Sequence, residues 1–381
     1  VKHLLAPLLL VLAASSVRAA ASEPAAPISS LPFTFEAGQV FLPVSINGAP
    51  PETFVLDSGA SGFVVDTDAA RAHALETAGS REGTGAGKGT YHITYAIHVA
   101  FKLGESVTVT PDSCYVIDLS SLPATIGRHV AGIVGYDFFA RYVVDLDHDA
   151  QILRVYDPDS YRYTGDGSVL PLTFHKKVPY ITAAIKVNGR RSSIEEFMVD
   201  SGSGDAVDHD LIAQSRGKKL VVVGGVGLGQ EYRVTLGRVE SLRLGKYEIV
   251  DAVGVAGGKA MIGNQVLGRF RVIFDYHRAQ MVLEPNSHYH DTFEVDASGI
   301  DLRLDPATGE FIVHDVHQGS PAEQAGIAPE DRIVKIDSEP AQHFSLTHVT
   351  RLLQTPDRRI NLTLRRGSTE TSRAIVTRKQ L

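Results

Sequence analysis

The sequence predicts a mainly β protein: two similar β-rich halves in tandem, then a separate compact domain of strands and two helices. Three observations carry that expectation. Short runs of valine, isoleucine, tyrosine and threonine recur near alternation between Asn-Gly, Asp-Gly and Gly-x-Gly turn signals. One ordered set of landmarks occurs twice along the chain. Beyond about Val295 the pattern changes to strands interrupted by two short helical stretches.

At 381 residues the chain has room for two or three domains at about 150 residues each. The first stretch, 1–21, has a lysine, an apolar run from Leu4 to Ala14 and small residues at Ala19 to Ala21. This is the pattern of a secretory signal peptide, with an N-terminal anchor helix as the alternative, and it implies a secreted or periplasmic mature protein. No later segment is an unbroken apolar span, so stable transmembrane insertion is not expected. Cys114 is the only cysteine. It excludes an intramolecular disulfide and, in the setting SCYVI, reads as a small strand residue rather than a nucleophile. A formal net charge of -7 offers no global basic field for nucleic acid.

The first half, about 33–157, contains the strand-like runs QVFLPVSI, YHITYAIHVAF, SVTVT and RYVVDLD. A polar stretch, 158–170, reads as a linker. The second half, about 171–285, repeats the order of the first. VSINGAPPETFVLDSG is matched by IKVNGRRSSIEEFMVDSG, and GAGKGTYHITYAIHVAFKLG by GVGLGQEYRVTLGRVESLRLG. GIVGYDFFARYVVDLDHDAQILRV is matched by AMIGNQVLGRFRVIFDYHRAQMVL. Two homologous half-domains account for this order, and two unrelated small barrels are the alternative. In the last domain, 295–379, Pro321 opens a short helix that Gly326 stops. Ser345 is a candidate N-cap for a helix whose apolar face is Leu346, Val349, Leu352 and Leu353.

The paired Asp57-Ser58-Gly59 and Asp200-Ser201-Gly202 stretches, with the apolar-apolar-glycine elements Ile133-Val134-Gly135 and Met261-Ile262-Gly263, resemble the aspartic peptidase family. The likeness is to the retroviral-type, pepsin/retropepsin-like fold duplicated in one chain. It implies two half-domains forming a pseudo-twofold pair, with Asp57 and Asp200 as the catalytic dyad. Ser58, Gly59, Ser201 and Gly202 then support the two loops. The glycine-rich segments resemble flaps over an extended peptide, with Gly87, Tyr91, Gly227 and Tyr232 as their markers. They lack the lysine and hydroxyl of a phosphate-binding loop.

Charge gives the pairing a physical reason. Ionising two carboxyls about 4 Å apart costs roughly 4 kcal/mol at an effective dielectric near 20, so one keeps a proton while the other is ionised. The ionised one takes a proton from water and the protonated one donates to the substrate carbonyl, with no metal or cofactor required. Ser203, which stands where the first half has Ala60, is expected to donate to Asp200 and make it the base. The acidic runs DAVDHD at Asp205 to Asp210 and DLDHD at Asp145 to Asp149 are expected to be solvated turns. For the former, a basic substrate or calcium is the alternative. SHYHD, Ser287 to Asp291, reads as linker rather than a zinc site.

GSPAEQAGIAPEDRIVKID, Gly319 to Asp337, resembles a PDZ domain, with its D-x-I-x-x-I strand at Asp331, Ile333 and Ile336. The likeness implies capture of a protein or peptide ligand as an added edge strand, with Gly299, Ile300, His348 and Leu352 as candidate groove residues. Leu352 has a core role as its alternative. The functional expectation is an aspartic endopeptidase with PDZ-mediated recognition, and the alternative is a noncatalytic peptide-binding or adaptor protein on the same fold. Because both aspartates lie in one chain, a dimer is not needed to complete the dyad.

Overall fold

The computed structural model describes residues 26–83, 90–224 and 231–381. The expected signal segment and the flap markers Gly87 and Gly227 lie outside them. The Asn-Gly signals are turns of the kind that favours hairpins. Asn47 and Gly48 have φ of 49° and 81°, and Asn188 and Gly189 have 49° and 77°. Two successive positive φ values match the right-handed twist of the flanking strands, which is why asparagine and glycine occupy these positions.

The first half forms a ten-stranded sheet and the second a nine-stranded sheet. In the first, strand Gly132–Val134 lies between Glu52–Leu56, to which it is parallel, and Val64–Asp66, to which it is antiparallel. In the second, Met261–Ile262 lies between parallel Glu195–Val199 and antiparallel Val207–Asp208. The inner faces are apolar and join in one core that spans both halves. Phe54, Phe63, Phe101, Phe197 and Phe270 are all fully buried within it. Phe63 stacks on Phe101 at 4.2 Å between ring centroids, and burying such a side chain contributes roughly 2–3 kcal/mol.

A six-stranded sheet ties the halves together. Ser29–Pro32, Ile152–Tyr156 and Val143–Asp147 come from the first, and Phe270–Asp275, Gln280–Pro285 and Ser168–Pro171 from the second and its approach. Val144 opposes Phe274 where they meet. This sheet corrects two local expectations. Asp145 is not in a solvated turn: it is fully buried, and Arg271 donates to both its oxygens at 2.8 and 2.7 Å. His148 is buried too, its ring edge-on to Phe33 and Phe35. The stretch expected as a linker is also packed, since Tyr161 is buried against Tyr156 and the Tyr163 hydroxyl donates to Glu284. Sequence composition marks these residues as polar but says nothing of partners more than a hundred positions away.

The C-terminal domain has a six-stranded sheet that runs Ile300–Leu304, Phe311–Val316, Arg332–Ile336, Arg359–Arg366, Thr369–Val376, with Glu339–Pro340 paired to the third. Ser320 caps helix Pro321–Gln324 by accepting from Glu323 N–H, and Ser345 caps Leu346–Gln354 by accepting from His348 N–H. Leu346, Val349, Leu352 and Leu353 are all buried. Asp331 is buried in a two-bond pair with Arg366 at 2.6 and 2.8 Å. This domain rests on both halves. Glu231 binds Arg303 and His314, each at 2.8 Å, and Arg233 binds Asp315 at 3.0 Å. Helix Pro123–Ile126 of the first half packs on the edge strand Ile300–Leu304.

Candidate active site

Asp57 follows strand Glu52–Leu56, and its N–H donates to Val134 O at 2.9 Å. Asp200 follows Glu195–Val199, and its N–H donates to Ile262 O at 3.0 Å. Each aspartate therefore leaves its strand where a neighbouring apolar-apolar-glycine strand holds its backbone. Gly135 and Gly263 allow the next turn to pass close by. A Cβ on Gly135 would lie 2.8 Å from Ala60 O, and one on Gly263 would lie 2.5 Å from Asp205 O, separations no side chain tolerates.

The two loops meet through a reciprocal set of hydrogen bonds. Ser58 N–H donates to Ser201 Oγ at 2.9 Å, and Ser201 N–H to Ser58 Oγ at 3.0 Å. Ser58 Oγ in turn donates to Val199 O at 2.8 Å, and Ser201 Oγ to Leu56 O at 3.0 Å. Both serines are buried, so all these groups are satisfied without water. Gly59 and Gly202 admit the opposite carboxylates. A Cβ on Gly59 would lie 2.9 Å from Asp200 Oδ1, and one on Gly202 would lie 2.6 Å from Asp57 Oδ2.

The carboxyls of Asp57 and Asp200 hydrogen-bond to each other across this contact. Burial raises the pKa of both; the charge of Asp57 and the shared bond raise that of Asp200 further. Asp57 Oδ1 accepts from Gly59 and Ala60 N–H at 2.7 and 3.1 Å, and Asp200 Oδ1 accepts from Gly202 N–H at 2.8 Å. Ser203 reaches Asp200 through its backbone N–H, and its hydroxyl accepts from Asp205 N–H at 3.2 Å. Both carboxyls hold a proton more strongly than an ordinary aspartate, and the pair shares it across their mutual bond.

Two further residues brace the loops. Asn264 Nδ2 donates to Ser201 O at 2.6 Å and Gly38 O at 2.8 Å, and Gln39 Nε2 donates to Gly202 O at 2.9 Å. Sequence reading missed both. The signal for Asn264 lay in its place after Gly263, where the first half has Tyr136 after Gly135.

Tyr91 and Tyr232 occupy matching rungs. Tyr91 opposes Gly83 in hairpin Thr77–Gly83/Tyr91–Ala96, and Tyr232 opposes Gly224 in hairpin Lys219–Gly224/Tyr232–Leu244. Tyr91 feels the charge of Asp57, whereas Tyr232 feels Asp208 and Asp205.

Residues 42–138, which contain Asp57 and the Gly135 support, match the family model described as aspartyl protease. The chain carries an aspartic-protease-family domain. Residues 312–366 match a PDZ domain model, so a separate PDZ domain follows the protease domain. The carboxy-terminal processing protease CtpA of Bacillus subtilis (strain 168) is 23% identical over 94 residues, 25% of this chain. The match spans only 20% of that protein's length. The solved aspartic proteinase from Irpex lacteus aligns with 69% of this chain and 99% of its own at 15% identity, with a TM-score of 0.45.

In the PDZ domain the candidate groove residues have separate fates. Gly299 adopts φ of 83°, and its N–H donates to Asp296. Ile300 N–H donates to Ser298 Oγ at 3.0 Å. Both donors expected to meet a peptide terminus are therefore already engaged within the loop. His348 is exposed and stacks on Phe344, while Leu352 belongs to the domain core. Gly127, which ends helix Pro123–Ile126, would place a Cβ 3.0 Å from Leu346 Cβ. The protease domain thus covers part of the edge where an added strand would pair.

Proposed function

We propose that this chain is a single-chain aspartic endopeptidase, its two halves a duplicated pair around a pseudo-twofold axis that brings Asp57 and Asp200 together. The reading rests on one observation above all, the mutual carboxyl hydrogen bond seated on the reciprocal Ser58 and Ser201 contacts. The ionised member of the pair takes a proton from a bound water as that water attacks a peptide carbonyl. The protonated member donates its proton to the carbonyl oxygen and stabilises the tetrahedral species. As the tetrahedral species collapses, the carboxyl that took the water proton gives it to the leaving amine and the other recovers a proton from a hydroxyl of that species, so the dyad, which titrates as a unit, is restored.

The flap hairpins that carry Tyr91 and Tyr232 would cover an extended polypeptide and exclude water. The PDZ domain would take a peptide or protein ligand along Ile300–Leu304 once helix Pro123–Ile126 moves off that edge. Action outside the cytoplasm, secreted or periplasmic, follows from the signal-like first segment. The test is incubation of the protein with a denatured-protein mixture from acidic to neutral pH, with peptide mass mapping of the products. New termini that vanish in both folded Asp57→Asn and Asp200→Asn variants are expected. Cleavage that persists in both variants overturns the mechanism.

A further inference from the structure

The two halves present different chemistry at one matched position beside the dyad. In the first half, Val64 pairs with Ile133 and with Tyr115. These three residues lie in an apolar layer that also includes Tyr91 and Ala60, the neighbours of Asp57. In the second half the same strand arrangement pairs Asp208 with Met261 and with Val255. Alternation fixes the faces: Val207, Ile262 and Val199 point into the common core, so Asp208 and Met261 point to the opposite side. An aspartate therefore stands where the first half has a valine.

That aspartate is not the solvated turn residue the sequence suggested. Asp208 is 6% exposed, and its Oδ1 has no hydrogen-bond partner. Gly257 and Gly258 N–H groups reach its carboxylate, and a Cβ on Gly258 would lie 2.5 Å from Oδ2. Burial and then Asp205 raise its pKa to about 7, and Asp205 itself is exposed. The charges acting on Asp208 are Asp205 and Asp210, those on Asp205 come from Asp200, and Tyr232 on the flap strand senses Asp208 and Asp205. Among the described residues no lysine or arginine forms an ion pair with Asp200, Asp205 or Asp208. Nor do they form part of a group of three or more ligands able to hold a metal ion.

A buried carboxylate with an open acceptor, a second carboxylate acting on it, and no countercharge is placed to accept a cation. We propose that Asp208, assisted by Asp205, forms a specificity subsite on the second-half side of the cleft that receives a lysine or arginine side chain of the substrate. The apolar layer around Val64 takes a hydrophobic residue on the other side. Tyr232, Gly257, Gly258 and Met261 complete the acidic subsite. Burial makes the recognition selective, because a neutral side chain leaves Asp208 unpaired where water does not replace the missing donor. The proposal rests on the hydrolytic reading for its orientation, but binding tests it independently.

The experiment scans arginine, lysine, norleucine and glutamate through each position of a fluorogenic peptide around its scissile bond. The wild type is expected to favour arginine or lysine over norleucine at one position by about tenfold or more in kcat/KM. Asp208→Val, which copies the first half, should bring that ratio near unity, and Asp208→Glu should restore part of it. Asp205→Asn, at an exposed residue, serves if Asp208→Val does not fold and should lower the ratio several-fold. Equal rates for basic and neutral peptides at every position, or a preference that survives Asp208→Val, overturn the inference while leaving the hydrolytic reading intact. If no peptide is cut, calorimetric binding of a statine-containing peptide scanned in the same way decides it. Tighter binding of the arginine form, lost in the variants, supports the subsite, and equal affinity refutes it.

Discussion

Ser58 and Ser201, 143 positions apart, each donate a backbone N–H to the other's hydroxyl and pass their own hydroxyl proton to a carbonyl of the opposite half. This exchange fixes the distance between the two aspartate loops, so the site inherits its precision from buried hydroxyls rather than from the carboxyls themselves. Removing one hydroxyl breaks bonds in both directions and leaves a buried N–H without an acceptor. Ser58→Ala should destabilise the protein by roughly 2–4 kcal/mol and lower kcat more than it raises KM. Denaturant unfolding and steady-state kinetics on one peptide check both parts, and a conservative Ser58→Thr should recover stability better than alanine.

The pH dependence expected of the proposed hydrolysis follows from the raised pKa values of Asp57 and Asp200. Activity requires one proton on the pair, so the rate rises as the first proton leaves and falls as the second leaves. Since burial raises both, the bell of kcat/KM should sit above the range of two ordinary carboxyls near pH 4, with an alkaline limb well above it. A profile that is flat, or centred below pH 4, would contradict the buried, shared-proton arrangement.

Asp208 predicts a stability profile of a definite sign. Its folded pKa of about 7 exceeds the unfolded value, so between the two the folded chain binds more protons. Stability from this residue is therefore greatest below about pH 4 and falls as pH rises through about 7. Asp208→Asn should be close to neutral at the acid end and more stable than wild type by roughly 4 kcal/mol at pH 8. Thermal or denaturant unfolding of the pair across pH 4–8 reads the difference. A gap that shrinks with rising pH would reverse the assignment.

Glu231 immediately precedes strand Tyr232–Leu244 and holds Arg303 and His314 of the PDZ domain. These pairs are partly exposed, so each contributes only about 0.2–1 kcal/mol. Glu231→Gln should leave global stability nearly unchanged yet speed hydrogen exchange along Phe311–Val316 and Tyr232–Leu244. Hydrogen exchange followed by mass spectrometry makes the comparison, and unchanged protection in both strands would show that the contact does not couple the domains.

Much of this was legible in the sequence because it is local. An Asn-Gly pair needs positive φ whatever surrounds it, and a serine before an apolar helical stripe caps that helix through its own third following N–H. The repeated Asp-Ser-Gly and apolar-apolar-glycine signals likewise located both loops, since tight turns at close backbone approaches require glycine. Tyr91 and Tyr232 could be marked as a pair on the same grounds.

Tertiary structure alone decided the partners. DLDHD and DAVDHD look alike as acidic runs, yet Asp145 is neutralised by Arg271 from the other half while Asp208 is buried with an open oxygen. Ser203 was expected to serve Asp200 with its hydroxyl, but it is the backbone N–H that bonds Asp200, while the hydroxyl accepts from Asp205 N–H. The groove donors at Gly299 and Ile300 were likewise taken by Asp296 and Ser298. Sequence by itself determined which backbone shapes and residue types recur, because those depend on neighbours within a few positions. Which charge is paired, which is shared and which remains open depends on desolvation and on distances between remote strands, and only the folded chain sets those.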